Sequence, residues 1–140
     1  MGKTLNNMGE AYRIQGKMDL AKFRLGKMDL AKFRLGEALV IKKKLYPSGH
    51  LEVAATEDNL GLVHRDLGEL KEALSLLRSA LASREAMLGK RHADVARSKL
   101  NIAAVLHQLS DVDGALSMWK ASVETLIHLG VCNLEVRERA

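Results

Sequence analysis

The sequence predicts an all-α protein built as an array of three helical hairpins, and three observations carry that prediction. Landmark residues recur at a fixed interval: Asn59-Leu60-Gly61 returns as Asn101-Ile102-Ala103, 42 residues later. Apolar residues recur at three- and four-residue steps, the period of a helix with one buried face. Sheet signals are weak, with one proline, 4% aromatic residues and few β-branched runs. At 140 residues and 47% hydrophobic composition, one repeat domain can build a core, provided that each unit covers the open face of the next.

The first unit covers about residues 3–52. Thr4 to Ile14 places Leu5, Met8, Ala11 and Tyr12 on one helical face, and Gly16-Lys17 is expected to break the run into a turn. Asn7-Met8-Gly9 stands 52 residues before Asn59-Leu60-Gly61, ten more than the period, and the excess is legible: GKMDLAKFRL fills residues 16–25 and again 26–35 without a difference. Identity over ten residues marks a recent duplication or deliberate design. Met18, Ala21, Leu25, Met28, Ala31, Leu35 and Ala38 keep helical spacing through both copies, so one long second helix is expected from about Met18 to Tyr46. It ends before Pro47-Ser48-Gly49, where proline restricts the preceding residue and glycine supplies a turn. Ten extra helical residues displace the later face by about 15 Å and turn it by about 280°. Apolar surface is then left open, and a homo-oligomer through the duplicated segment is expected.

The second unit covers about residues 53–94. Its first helix runs from Val53 to Leu67 and Gly68 marks the turn. The second helix runs from Leu70 to Leu88, with Leu74, Leu77 and Leu81 along a stripe and Gly89 as the carboxy-terminal cap. The third unit, about residues 95–130, has a first helix from Val95 to Leu109 and a turn at Ser110-Asp111, where the Asp111 carboxylate can cap the next helix. That helix ends near Leu129-Gly130. Residues 131–140 read as the start of another first helix, a partial cap on the end of the array.

These landmarks resemble tetratricopeptide repeats (TPRs), and the 42-residue unit is similar to the kinesin light chain type. The small residue at the close hairpin crossing is Gly9, Gly61 and Ala103, and the alanine facing it is Ala21, Ala73 and Ala115. Leu25, Leu77 and Trp119 hold the large packing position, at which Trp119 is expected to be buried. Ala80 and Ser122 hold a small one. In the first unit that small position falls on Ala38 only when counted from the second decamer, so downstream packing is expected to belong to the second copy. The inter-unit loops match as well, Gly49-His50-Leu51-Glu52-Val53-Ala54 recurring as Arg91-His92-Ala93-Asp94-Val95-Ala96. The resemblance implies an α–α superhelix whose first helices line a concave groove for an extended peptide.

Composition narrows the function. The formal charge is +5, but each decamer carries a net +2, and the balance left by a single copy is too small to argue for nucleic acid. Lys42-Lys43-Lys44 is the only basic run, and the aromatic platforms of single-strand binders are missing. Cys132 is the only cysteine, which excludes an intrachain disulfide, matches a reducing compartment and reads as a packed small side chain. No apolar run reaches the roughly 20 residues of a membrane span, no apolar signal core is present, and a cytoplasmic location is expected. The histidines fall in different units with no metal-ligand spacing, and no phosphate-binding loop or nucleophile elbow occurs. His50 and His92 read as loop caps. Met8, Met18, Met28, Met87 and Met118 sit at helical core spacing. Neither catalysis nor a cofactor is expected.

The polar positions that recur are the candidate site. Asn7, Asn59 and Asn101 precede the landmark pair in each unit, and an amide that both donates and accepts can hold the backbone of an extended peptide without demanding one sequence. By the family register, specificity falls to varying positions that include Asp58, Leu62, Arg97, Ala104 and Gln108. Arg13, Arg65 and His107 share one register and form a basic column suited to an acidic peptide. The reading is a non-catalytic adaptor module. The alternative is an engineered or structural repeat array in which accommodation of the duplicated segment, with oligomerisation or helix exchange, is the main property.

Overall fold

A computed structural model describes residues 2–130, with the backbone alone for residues 2–10 and 12. Among the described residues five helices follow in order: α1 (Gly2–Leu45), α2 (Leu51–Asp66), α3 (Leu70–Leu88), α4 (Ala93–Gln108) and α5 (Val112–His128). Each packs on its neighbour in sequence, and α2 also approaches α4. The pairs α2–α3 and α4–α5 are the second and third of the expected hairpins, stacked as in an α–α superhelix.

The second and third units match their sequence pattern closely. A Cβ placed on Gly61 would stand 2.9 Å from Leu77 Cγ and 3.3 Å from the Ala73 carbonyl oxygen, so glycine permits the close crossing of α2 and α3. Ala73, Leu77 and Ala80 of α3 and Val95, Ile102 and Val105 of α4 are fully buried. All but Ala80 belong to the main core together with Leu81 and Leu106, and Leu74, Ala115 and Met118 pack against it. Ser122 replaces Ala80 at the small position and loses no hydrogen bond by burial, because its hydroxyl donates to the Ala96 carbonyl at 2.7 Å.

Local chemistry sets the helix ends. His50 and His92 cap α2 and α4, each Nδ1 accepting from the backbone N–H two residues on at 3.0 Å. Both helices therefore begin at the residue after the histidine, two earlier than the apolar pattern indicates. Asp111 Oδ1 accepts from the Gly114 N–H at 3.0 Å and caps α5. Gly68 and Ser110 close α2 and α4 in the left-handed region, at φ 81° and 65°. In both turns the next N–H returns to a carbonyl of the last helical turn, at 2.8 and 2.9 Å.

The first unit departs from expectation. No turn forms at Gly16. Helix α1 runs unbroken for 44 residues, a length of about 66 Å, so the helix expected from Met18 extends back to Gly2 and the first hairpin is replaced by a single rod. A hairpin turn at Gly16 would pack the first helix on the first decamer, while α2 sits against the second. The two first helices would then be too far apart to bury each other's faces. Without that burial, one glycine costs a helix only about 1 kcal/mol, and the decamer's Met, Leu, Ala, Lys and Arg favour continuation. Downstream packing does belong to the second copy: Leu39 is buried with Val53 and Leu60, and Leu35 packs beside them.

Three further expectations are corrected. Trp119 is 51% exposed, although its register equivalent Leu77 is fully buried, because Leu77 lies between α2 and α4 whereas α5 packs only on α4 among the described residues. Met18 and Met87 are exposed and do not enter the core. Asp58 faces inward and not toward a groove. Cys132 and the segment 131–140 lie outside the described residues, as do the side chains of Leu5, Asn7, Met8 and Tyr12 and the surroundings of Gly9.

Candidate functional site

Stripes of open residues run along the first helices of the second and third units. On α2 the stripe holds Glu52, Asn59 and Asp66, with Ala55 and Leu62 half-buried between them. On α4, 42 residues on, it holds Arg97 and Gln108, with Asp94, Asn101 and Ala104 half-buried. Helical spacing produces both stripes, since the opposite faces carry Ala54, Leu60 and Gly61 on α2 and Val95, Ile102 and Val105 on α4 into the core. Neither the Asn59 nor the Asn101 side chain makes a hydrogen bond within the described residues, so both amides keep two donors and an acceptor for a ligand. Arg97 Nη2 lies 3.5 Å from Asp94 Oδ1 on the same stripe.

The remaining predicted residues are not gathered there. Asn7 and Arg13 belong to the amino-terminal half of α1, and Arg13 stands about 33 Å of helical rise from Leu35. Arg65 Nη2 lies 3.4 Å from Asp66 Oδ1. His107 is exposed and lines a half-open apolar groove of about 470 Å³ with Leu100, Ala104, Leu116 and Trp119. Shifted by 42 residues, Leu116 and Trp119 become Leu74 and Leu77, which pack in the core that α3 shares with α4.

Two polar clusters escaped the sequence reading. Arg84 of α3 donates from Nη1 to Asp58 Oδ2 of α2 at 2.7 Å and to Ser98 Oγ of α4 at 2.6 Å. All three residues are buried, so one guanidinium ties three helices across the boundary between units. A signal was present: Arg84 continues the core stripe of Leu77, Ala80 and Leu81, and a cation in that phase requires a buried partner. The other cluster joins α1 to the α2–α3 turn. Lys32 Nζ donates to both oxygens of Glu69 at 2.8 and 3.2 Å, and His64 Nδ1 lies 3.3 Å from Glu69 Oε2. The hydrogen bond with Lys32 holds the Glu69 carboxyl below the usual carboxylate range, and the same bond raises the Lys32 amine above its ordinary value.

Among the described residues no group of three or more His, Cys, Asp or Glu side chains could hold a metal ion, and no helix is long and apolar enough to cross a membrane. Hairpins stacked in a 42-residue register, with a glycine at the close crossing, define a helical-repeat protein. The chain belongs to the tetratricopeptide repeat family, whose profile matches residues 21–86 and 52–127. It is similar in structure to the kinesin light chain-like, nearly identical TPR-like repeats of Podosopora anserina, at 21% identity and a TM-score of 0.69 over 82% of this chain. A single-substitution form of those repeats matches with the same values. The chain spans 56% and 55% of the length of those two structures. No curated protein matches the sequence.

Proposed function

We propose that this chain is a non-catalytic interaction module that holds an extended peptide of a partner protein along the open stripes of α2 and α4. TPR folds generally mediate protein–protein interaction and are typically scaffolds without catalysis. The observation that carries the finer reading is the pair Asn59 and Asn101, one unit apart on neighbouring first helices, with amides unused by the chain itself. Such amides bind peptide backbone, and the residues between them supply preference. Arg97 on the same stripe favours an acidic side chain in the ligand, and Asp94 beside it limits that preference. Arg65 and His107 extend the basic character at the edge of the stripe.

The test is a peptide selection on the full chain followed by affinity measurement. Changing Asn59 and Asn101 together to alanine is expected to weaken the selected peptides about tenfold or more, since two amide contacts of roughly 1 kcal/mol each are lost. Affinity unchanged by the double substitution removes the asparagines from the site. A second reading gives the duplicated segment the main role, and exposed apolar residues on α1 favour it.

A further inference from the structure

Helix α1 carries a seam of which one half is used and the other is open. Met28, Lys32, Leu35 and Leu39 follow alternating four- and three-residue steps, and this half docks on the second unit, with Leu39 buried among Val53 and Leu60 and Lys32 bonded to Glu69. Ile14, Met18, Ala21 and Leu25 continue the same steps toward the amino terminus, the 3.5-residue period of helices that wrap a partner helix. These four are exposed, with Ile14, Met18 and Leu25 at 51%, 52% and 52%.

We propose that this open half of the seam docks an amphipathic helix of another protein, one whose apolar stripe is flanked by carboxylates. Continuity supports the site, because the open half extends a seam that already binds a helix. Identity supports the chemistry: Met18, Lys22 and Leu25 are the decamer equivalents of Met28, Lys32 and Leu35, and in the second set Met28 is half-buried, Leu35 packs on apolar side chains and Lys32 meets the Glu69 carboxylate. Charge selects the occupant. Lys17, Lys22 and Arg24 border the open seam, while Asp19 points away from it and accepts from Gln15 at 3.1 Å. A second copy would bring the same basic border against this one, and its own Glu69 already holds Lys32, so like charges oppose self-docking.

The site lies on α1, apart from the asparagine stripe, and stands or falls separately from it. The probe is a designed helical peptide of three heptads with leucine at the seam positions and glutamate on both flanks. Its control carries lysine on the flanks. With the full chain at low salt, anisotropy is expected to show the glutamate peptide binding at least tenfold more tightly than the lysine peptide. Substituting Met18→Asp with Leu25→Asp abolishes that binding and leaves the thermal melt of the chain in place, because both residues are exposed. Reversing the border with Lys17→Glu, Lys22→Glu and Arg24→Glu switches preference to the lysine peptide, and Asn59→Ala with Asn101→Ala has no effect. Equal binding of the two peptides, or binding that survives the aspartate pair, overturns the proposal. So does a dimer in light scattering that the aspartate pair dissolves, which would assign the seam to a second copy.

Discussion

Residues 16–25 and 26–35 spell the same ten amino acids in one continuous helix, and they differ in nearly everything else. In the second copy Met28 and Leu35 are half-buried and Lys32 is bonded to Glu69. In the first, Met18, Leu25 and Lys22 are open. Local conformation and side chains are identical, so the difference comes from what stands beside each copy. Only the second copy lies at the right distance from the Pro47 turn to meet α2 and α3. The comparison separates two contributions that are usually entangled: helix propensity, which both copies share, and tertiary burial, which one copy has.

The large packing position gives the sharpest test, since Leu25, Leu35 and Leu77 occupy it in three surroundings. Leu77→Ala is expected to cost about 4 kcal/mol, within the range for fully buried leucine. Leu35→Ala should cost about 1–2 kcal/mol, in proportion to its partial burial, and Leu25→Ala less than about 0.5 kcal/mol. Urea unfolding of the three variants measures the series. Equal losses at Leu25 and Leu35 would mean that the first copy is packed too, and the contrast between the copies would disappear.

A smaller effect separates Lys22 from Lys32 by its pH dependence. The folded-state pKa of Glu69 lies below its ordinary value, so its contribution is present above the usual carboxylate range and fades as pH falls through the lowered value. The pKa of Lys32 is raised, so its contribution is complete below the usual lysine range and fades as pH rises through the higher value. Across the neutral range Lys32→Met is expected to destabilise, with the difference from the unmodified chain shrinking toward both extremes. Lys22→Met should leave a difference without those two inflections. Thermal melts across pH compare the two variants, and matching profiles would show that the Lys32–Glu69 bond does not discriminate the copies.

The smallest expected effects concern one register position with three fates. Gly26 is helical, Gly68 closes α2 at φ 81°, and Ser110 closes α4 at φ 65°. Gly26→Ala should stabilise by about 0.5–1 kcal/mol through helix propensity, and a Cβ there meets nothing within 4 Å. Gly68→Ala should destabilise by about 1 kcal/mol, because alanine resists the left-handed region. Calorimetry on both variants reads the sign. Destabilisation at Gly26 would indicate a turn in the first unit after all.

Sequence by itself determined the all-α class, the 42-residue register, the hairpins of the second and third units and their caps. These depend on spacing within a helix or on contacts a few residues apart, as His50 with the Glu52 N–H and Asp111 with the Gly114 N–H show. It also placed downstream packing on the second decamer, because the distance from Ala38 to the next unit matched the register. In the candidate site, Asn59, Asn101 and Arg97 were legible as recurring or neighbouring polar positions on a helix face. Tertiary structure alone decided that Gly16 continues a helix, since a turn there is stabilised only by what the hairpin would bury. It decided the fates of Trp119, which lacks a described helix on its far side, and of Asp58, whose exposed-looking register conceals Arg84 arriving from another helix. Identical residues in identical helical conformation acquire different roles because burial and pairing are properties of the neighbour in space, which no local pattern encodes.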